Sequence, residues 1–200
     1  MTQPPVNGQR IGVLGGTFDP IHIGHLVTGL NVRHELSLDV VLLVVAHDPW
    51  QKADRDVTPS EIRLEMVRAA VEGRDGLVAS DLEIRRGGTS YTADTLRDLA
   101  DAHPGAELFL IVGQDQAGNL DTWERVEEIR SLATLVVVRR PGSEGEEPPA
   151  GWRFETVEIP LLQVSSSDAR DRFARGCPLD WLVPDEVVRI ARERRLYGPR

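Results

Sequence analysis

The chain has 200 residues, a formal charge of -9 at pH 7, 40% apolar and 28% charged residues, and a single cysteine, Cys177. That length carries one sizeable α/β domain, the acidic balance argues against a nucleic-acid partner, and one thiol rules out an internal disulfide or a thiolate zinc cluster. No run nears the roughly 18 apolar residues that span a bilayer, and MTQPPVNGQR lacks the basic-then-apolar order of a secretory leader, so a soluble cytoplasmic protein with no membrane partner is expected.

Residues 1–9 are read as a disordered start. Ile11–Leu14 is the first of four apolar runs rich in β-branched residues; Val40–Ala46, Leu108–Val112 and Leu135–Val138 follow. They are apolar throughout rather than alternating, which predicts strands buried on both faces of a parallel sheet. Leu26–Leu36 predicts a helix after a glycine turn. Thr58-Pro59-Ser60-Glu61 reads as a capping box with proline at the first helical position, opening a helix to about Val71. Leu77–Ile84 alternates more and reads as a strand nearer an edge, while Thr92–Ala102 and Trp123–Leu132 read as helices. Pro141–Gly151, acidic and rich in Gly and Pro, predicts a mobile surface loop. SSSDARDRFARG and PDEVVRIARERR predict two closing helices. There is no internal repeat, so residues 1–200 are expected to form one domain: a doubly wound parallel α/β sheet with a small helical C-terminal part.

The chemistry concentrates in GVLGGTFDPIHIGH, Gly12 to His25. Its glycine spacing matches neither the dinucleotide fingerprint nor the P-loop, and no lysine follows. Strand, glycine turn and helix nevertheless form the setting in which backbone N–H groups and a helix dipole receive an anion. His22 and His25 lie at i and i+3, so they share a face at the helix entrance, and Gly24 leaves room for a flat group against the backbone. A tight turn with two surface histidines is the plain alternative.

Other segments carry two readings each. Ser165-Ser166-Ser167 with Arg170 would cap a helix or hold phosphates. Gly113-Gln114-Asp115 follows a buried strand, where Asp115 would bind ribose hydroxyls or cap a helix beginning near Gln116. Trp123 is a core residue or a ring platform. Gly87 to Leu96 is a turn into a capped helix whose free N–H groups would also suit a carboxylate. Lys52 is a solvated lysine or a phosphate guide.

Together GGTFDPIHIGH, SSSDAR, GQD, YTADTL and Trp123 resemble the nucleotidyltransferase superfamily with the histidine-x-glycine-histidine step, and within it the bacterial nicotinate-nucleotide adenylyltransferases. The resemblance implies a Rossmann-like nucleotidyltransferase fold and adenylyl transfer from ATP to nicotinate mononucleotide. It assigns His25 and His22 to catalysis, and Gly15, Gly16, Thr17, Phe18, Gly113, Asp115, Ser166, Ser167 and Arg170 to ATP. Lys52, Tyr91, Thr92 and Trp123 go to the mononucleotide, with backbone amides near Tyr91 and Thr92 taking its carboxylate. Ser167 and Ala169 stand where the family usually has threonine and an aliphatic residue, and Ala46 and Trp50 depart from the usual loop before the lysine. Magnesium is expected to arrive through the substrate phosphates rather than on a metal site of the protein. Nicotinamide mononucleotide as acceptor, and a nucleotide-binding module without catalysis, stay open as alternatives, as does a homo-oligomer.

Overall fold

The structure, a computed structural model, describes residues 8–49, 57–139 and 147–198. Lys52, Trp50 and most of the segments 1–9 and 141–151 lie outside the described residues. Six parallel strands form one sheet: β1 (Arg10–Gly16), β2 (Val40–Val45), β3 (Leu77–Ser80), β4 (Glu107–Gly113), β5 (Ala133–Arg139) and β6 (Phe154–Glu158), in the order β3-β2-β1-β4-β5-β6. Successive residues along the central strands enter opposite cores. Val41, Leu43 and Val45 pack on one side with Phe109, Ile111, Val136 and Val138. Leu42 and Val44 pack on the other with Leu108, Leu110, Leu135 and Val137. Both faces are dry, which is why these runs are continuous rather than alternating.

Helices cover each face. On the first lie α1 (Ile23–Glu35), α2 (Ser60–Val71), α7 (Ser166–Arg175) and α8 (Asp185–Glu193); on the second lie α4 (Thr92–Ala102) and α6 (Val126–Leu132). Two short helices, α3 (Leu82–Arg86) and α5 (Gln114–Ala117), complete the set.

Several expectations are corrected. The strand expected over Leu77–Ile84 stops at Ser80, and Leu82–Arg86 is helical, its first turn tied by Arg85 to Asp81 at 2.8 Å. The helix expected over Trp123–Leu132 begins only at Val126, behind a left-handed Arg125 (φ 57). Pro59 stands just before α2 rather than inside it, and no side chain caps that helix; Thr58 instead donates to the Tyr197 hydroxyl at 3.3 Å. The edge strand β6 escapes the sequence pattern because, of its five residues, only Val157 is buried.

Candidate active site

The sheet order reverses between β1 and β4, and beyond their carboxyl ends the chains part. A doubly wound sheet opens its ligand crevice at such a point. Here it holds a cleft of about 640 Å³. Its walls include Gly15, Gly16, Thr17, Phe18, His22 and His25 from the first turn, Gly113 and Asp115 after β4, Ser166, Ser167 and Arg170 from α7, and Tyr91, Thr92 and Trp123. All the candidate residues of the sequence reading therefore meet in one place, apart from Lys52, which lies outside the described residues.

His22 is the extended residue just before α1, and His25 is the third residue of its first turn. The His22 backbone N–H donates to His25 Nδ1 at 3.2 Å. Because Nδ1 accepts, the ring proton of His25 sits on Nε2. The two imidazoles stack with centroids 3.7 Å apart, and the Phe18 ring meets His25 edge-on at 4.9 Å. His22 is 7% exposed, its Nδ1 is buried without a hydrogen-bond partner, and burial lowers its pKa to about 4. Near pH 7 it is uncharged. The pair is a fixed set of donors rather than two mobile surface rings.

The glycines divide by what crowds them. A Cβ on Gly16 would strike the Phe18 ring at 2.8 Å, and one on Gly12 would strike Leu38 and Val41 at 2.9 Å. On Gly24 it would meet His22 Nδ1 at 3.0 Å and Val164 at 3.2 Å. The flat group over Gly24 is thus the protein's own imidazole. Gly15 alone of these four looks onto open space, with nothing within 4 Å of an added Cβ.

At α7 the three serines separate into roles. Ser165 is the cap, accepting from the Asp168 N–H at 3.0 Å. Ser166 donates to the Pro20 carbonyl at 2.8 Å, and Arg170 donates to the Asp19 carbonyl at 2.7 Å, so both moor α7 to the turn that carries the histidines. Ser167 accepts from Arg170 at 3.0 Å, so that bond does not use its own hydroxyl proton. The family's usual threonine would offer the same hydroxyl. Arg170 is the one arginine lining the cleft among the described residues, beside Glu83, Asp115 and Glu124.

Gly113, not Asp115, caps α5, and Asp115 lies exposed in its first turn. Its carboxylate is not used as the cap. Trp123 ends a 3-10 turn (Leu120–Thr122) and is half-buried against the second core while lining the cleft. Trp152 is buried beneath the Arg130 guanidinium, 5.1 Å from its ring, and Trp181 is 92% exposed.

Also on the cleft wall, Tyr91 precedes α4 in an extended conformation, so the first N–H groups of that helix are presented at its N-terminus. Glu83, which the sequence reading missed, also lines the cleft; it is buried and accepts from the Thr95 hydroxyl at 2.5 Å. Its position in an apparent alternating strand gave no signal, and only the turn into α3 brings it inward.

The residues 13–172 match the family described as cytidylyltransferase-like. A protein of Corynebacterium kroppenstedtii named a probable nicotinate-nucleotide adenylyltransferase is 44% identical over 200 residues, covering 98% of this chain and 95% of its own. The protein of the same name from Corynebacterium glutamicum is 42% identical over 203 residues, covering 100% and 93%. In fold, the chain is similar to Plasmodium falciparum nicotinic acid mononucleotide adenylyltransferase complexed with NaAD, at a TM-score of 0.78 and 18% identity over 94% of this chain and 97% of that one. Near full-length similarity at this level leaves one conclusion: the chain belongs to the nicotinate-nucleotide adenylyltransferase family, within the cytidylyltransferase-like nucleotidyltransferases.

Proposed function

We propose that the chain transfers the adenylyl group of ATP to nicotinate mononucleotide, giving nicotinate adenine dinucleotide and pyrophosphate. The observation that carries this reading is the single cleft in which the stacked histidines, the N-terminus of α7, the N-terminus of α4 and Trp123 converge. The names of the relatives support the same substrate pair.

Magnesium would come with ATP rather than on a site of the protein, and would supply charge neutralisation at the phosphates. Among the described residues, no group of three His, Cys, Asp or Glu side chains is placed to hold a metal. An oxygen of the acceptor phosphate attacks the α-phosphorus in line, the bond from that phosphorus to the bridging oxygen breaks, and pyrophosphate leaves. The attacking phosphate is an oxyanion near pH 7, so no proton has to be removed and positioning with charge stabilisation does the catalysis. His25, through Nε2–H, and His22 donate to the phosphates as charge moves to the leaving group. Ser167, Arg170 and the first N–H groups of α7 hold the outer phosphates. Gly15 to Phe18, with Gly113 and Asp115, receive the rest of ATP. The first N–H groups of α4, at Tyr91 and Thr92, meet the pyridine carboxylate with the positive end of the helix dipole, Trp123 takes the ring, and Lys52 steers the acceptor phosphate. No described helix is long and apolar enough to cross a membrane.

The test is pyrophosphate release from ATP with nicotinate and nicotinamide mononucleotides side by side. Turnover is expected with the nicotinate form. ATP binding without pyrophosphate release would make the protein a nucleotide sensor, and a preference for the nicotinamide form would overturn the role of α4.

A further inference from the structure

Arg63, on α2, is 1% exposed and does not line the cleft. Its guanidinium donates to three backbone carbonyls: Thr58 at 2.7 Å through Nε, Thr17 at 2.7 Å through Nη1 and His47 at 3.2 Å through Nη2. Thr17 belongs to the glycine turn. His47 belongs to the segment after β2, and its N–H donates to the Ser90 hydroxyl at 2.9 Å, while the Ser90 N–H donates to the Asp48 carbonyl at 3.1 Å. Ser90 immediately precedes Tyr91 and Thr92. One planar group therefore stands between the turn assigned to ATP and the segment assigned to the acceptor.

A buried guanidinium that meets carbonyls is an expensive way to fill a core. An apolar side chain of similar volume serves stability as well or better. What only arginine supplies is a rigid fork of donors that fixes several acceptors at once. In a trans peptide the carbonyl and the N–H point opposite ways, so drawing the Thr17 carbonyl down to Arg63 turns the Phe18 N–H away from α2. The same holds for His47 and the Asp48 N–H. Nearby Asp19, itself buried, offsets part of the charge, and burial lowers the Arg63 pKa from its ordinary value.

We propose that Arg63 is a positioning residue that holds the ATP half and the acceptor half of the cleft in fixed relation, without touching either substrate. The inference rests on the substrate assignment above. Transfer in line tolerates little error in the placement of its reactants, so a slack joint between the two halves weakens binding and turnover together.

The variant Arg63→Lys keeps the charge but cannot span three carbonyls. With circular dichroism showing it folded at the assay temperature, KM for ATP and for nicotinate mononucleotide are both expected to rise roughly tenfold, as is the Kd for ATP measured alone. Met66→Ala, a cavity in the same helix, serves as a matched destabilised control with both KM values unchanged. Arg63→Lys with both KM values and the ATP Kd within about twofold of wild type would refute the positioning role. An inactive wild type would instead refute the substrate assignment, while the ATP Kd would still test Arg63. Should the lysine variant not fold, amide hydrogen exchange on the wild-type chain decides. A non-hydrolysable ATP analogue, without acceptor, is expected to raise protection at residues 46–48 and 88–91, and protection confined to the ATP-facing segments would overturn the proposal.

Discussion

His22 gives the sharpest prediction because its burial converts into a stability profile. The ring titrates near its ordinary 6.5 in the unfolded chain and at about 4 in the folded protein. Between those values the unfolded chain binds a proton that the folded protein refuses. Stability is therefore fully kept above pH 6.5, falls as the pH drops through the window, and levels off below 4. At about 1.4 kcal/mol per pH unit the gap sets a ceiling of about 3 kcal/mol, of which about 2 kcal/mol is lost by pH 5. The perturbation is His22→Asn, which retains a good residue for the start of a helix and has no proton to take. Urea unfolding of wild type and variant at pH 7.5 and pH 5 isolates the ring, because the carboxylates are common to both. The variant is expected to lose about 2 kcal/mol less than wild type over that interval. Equal losses would refute the picture of a neutral, dry imidazole, and with it the claim that His22 gives its hydrogen bond uncharged.

Two further outcomes follow from the same cleft. His25→Ala should fold normally, with turnover reduced by about two to three powers of ten in a pyrophosphate-release assay, the usual cost of one lost donor to a developing charge. Trp123→Ala should mainly raise KM for the mononucleotide and leave KM for ATP nearly unchanged, measured by varying each substrate against saturating amounts of the other.

The sheet was legible because its strands are dry on both faces: Val40 to Val45 has no polar residue to blur the pattern, and the observed strand matches the run. β6 was not, since an edge strand with one buried residue carries no hydrophobic signature. The cleft residues were legible as a string, yet the reasons for them were not. Gly16 and Gly24 read as openings for a ligand, and they are small because Phe18 and His22 fill the space above them. Ser166 read as a phosphate hydroxyl, and its proton is already given to Pro20. Arg63 and Glu83 were invisible, because a charged residue on an amphipathic stretch reads as solvated until tertiary contacts turn it inward. Periodicity reports which face is buried; it does not report which side chain closes on which backbone.

The bonds that moor the glycine turn are among the most distant in sequence. Ser166 reaches Pro20 across 146 residues, Arg170 reaches Asp19 across 151, and the Tyr197 hydroxyl donates to the Asp19 carboxylate at 2.6 Å across 178. During synthesis the turn leaves the ribosome with the first strand; Arg63, which takes the Thr17 carbonyl, follows 46 residues later, and Ser166, Arg170 and Tyr197 come far behind it. Closing loops of that length is entropically slow and cannot begin until α7 and Tyr197 exist. A nascent chain thus displays its signature sequence well before the three most distant groups that moor that turn have been made.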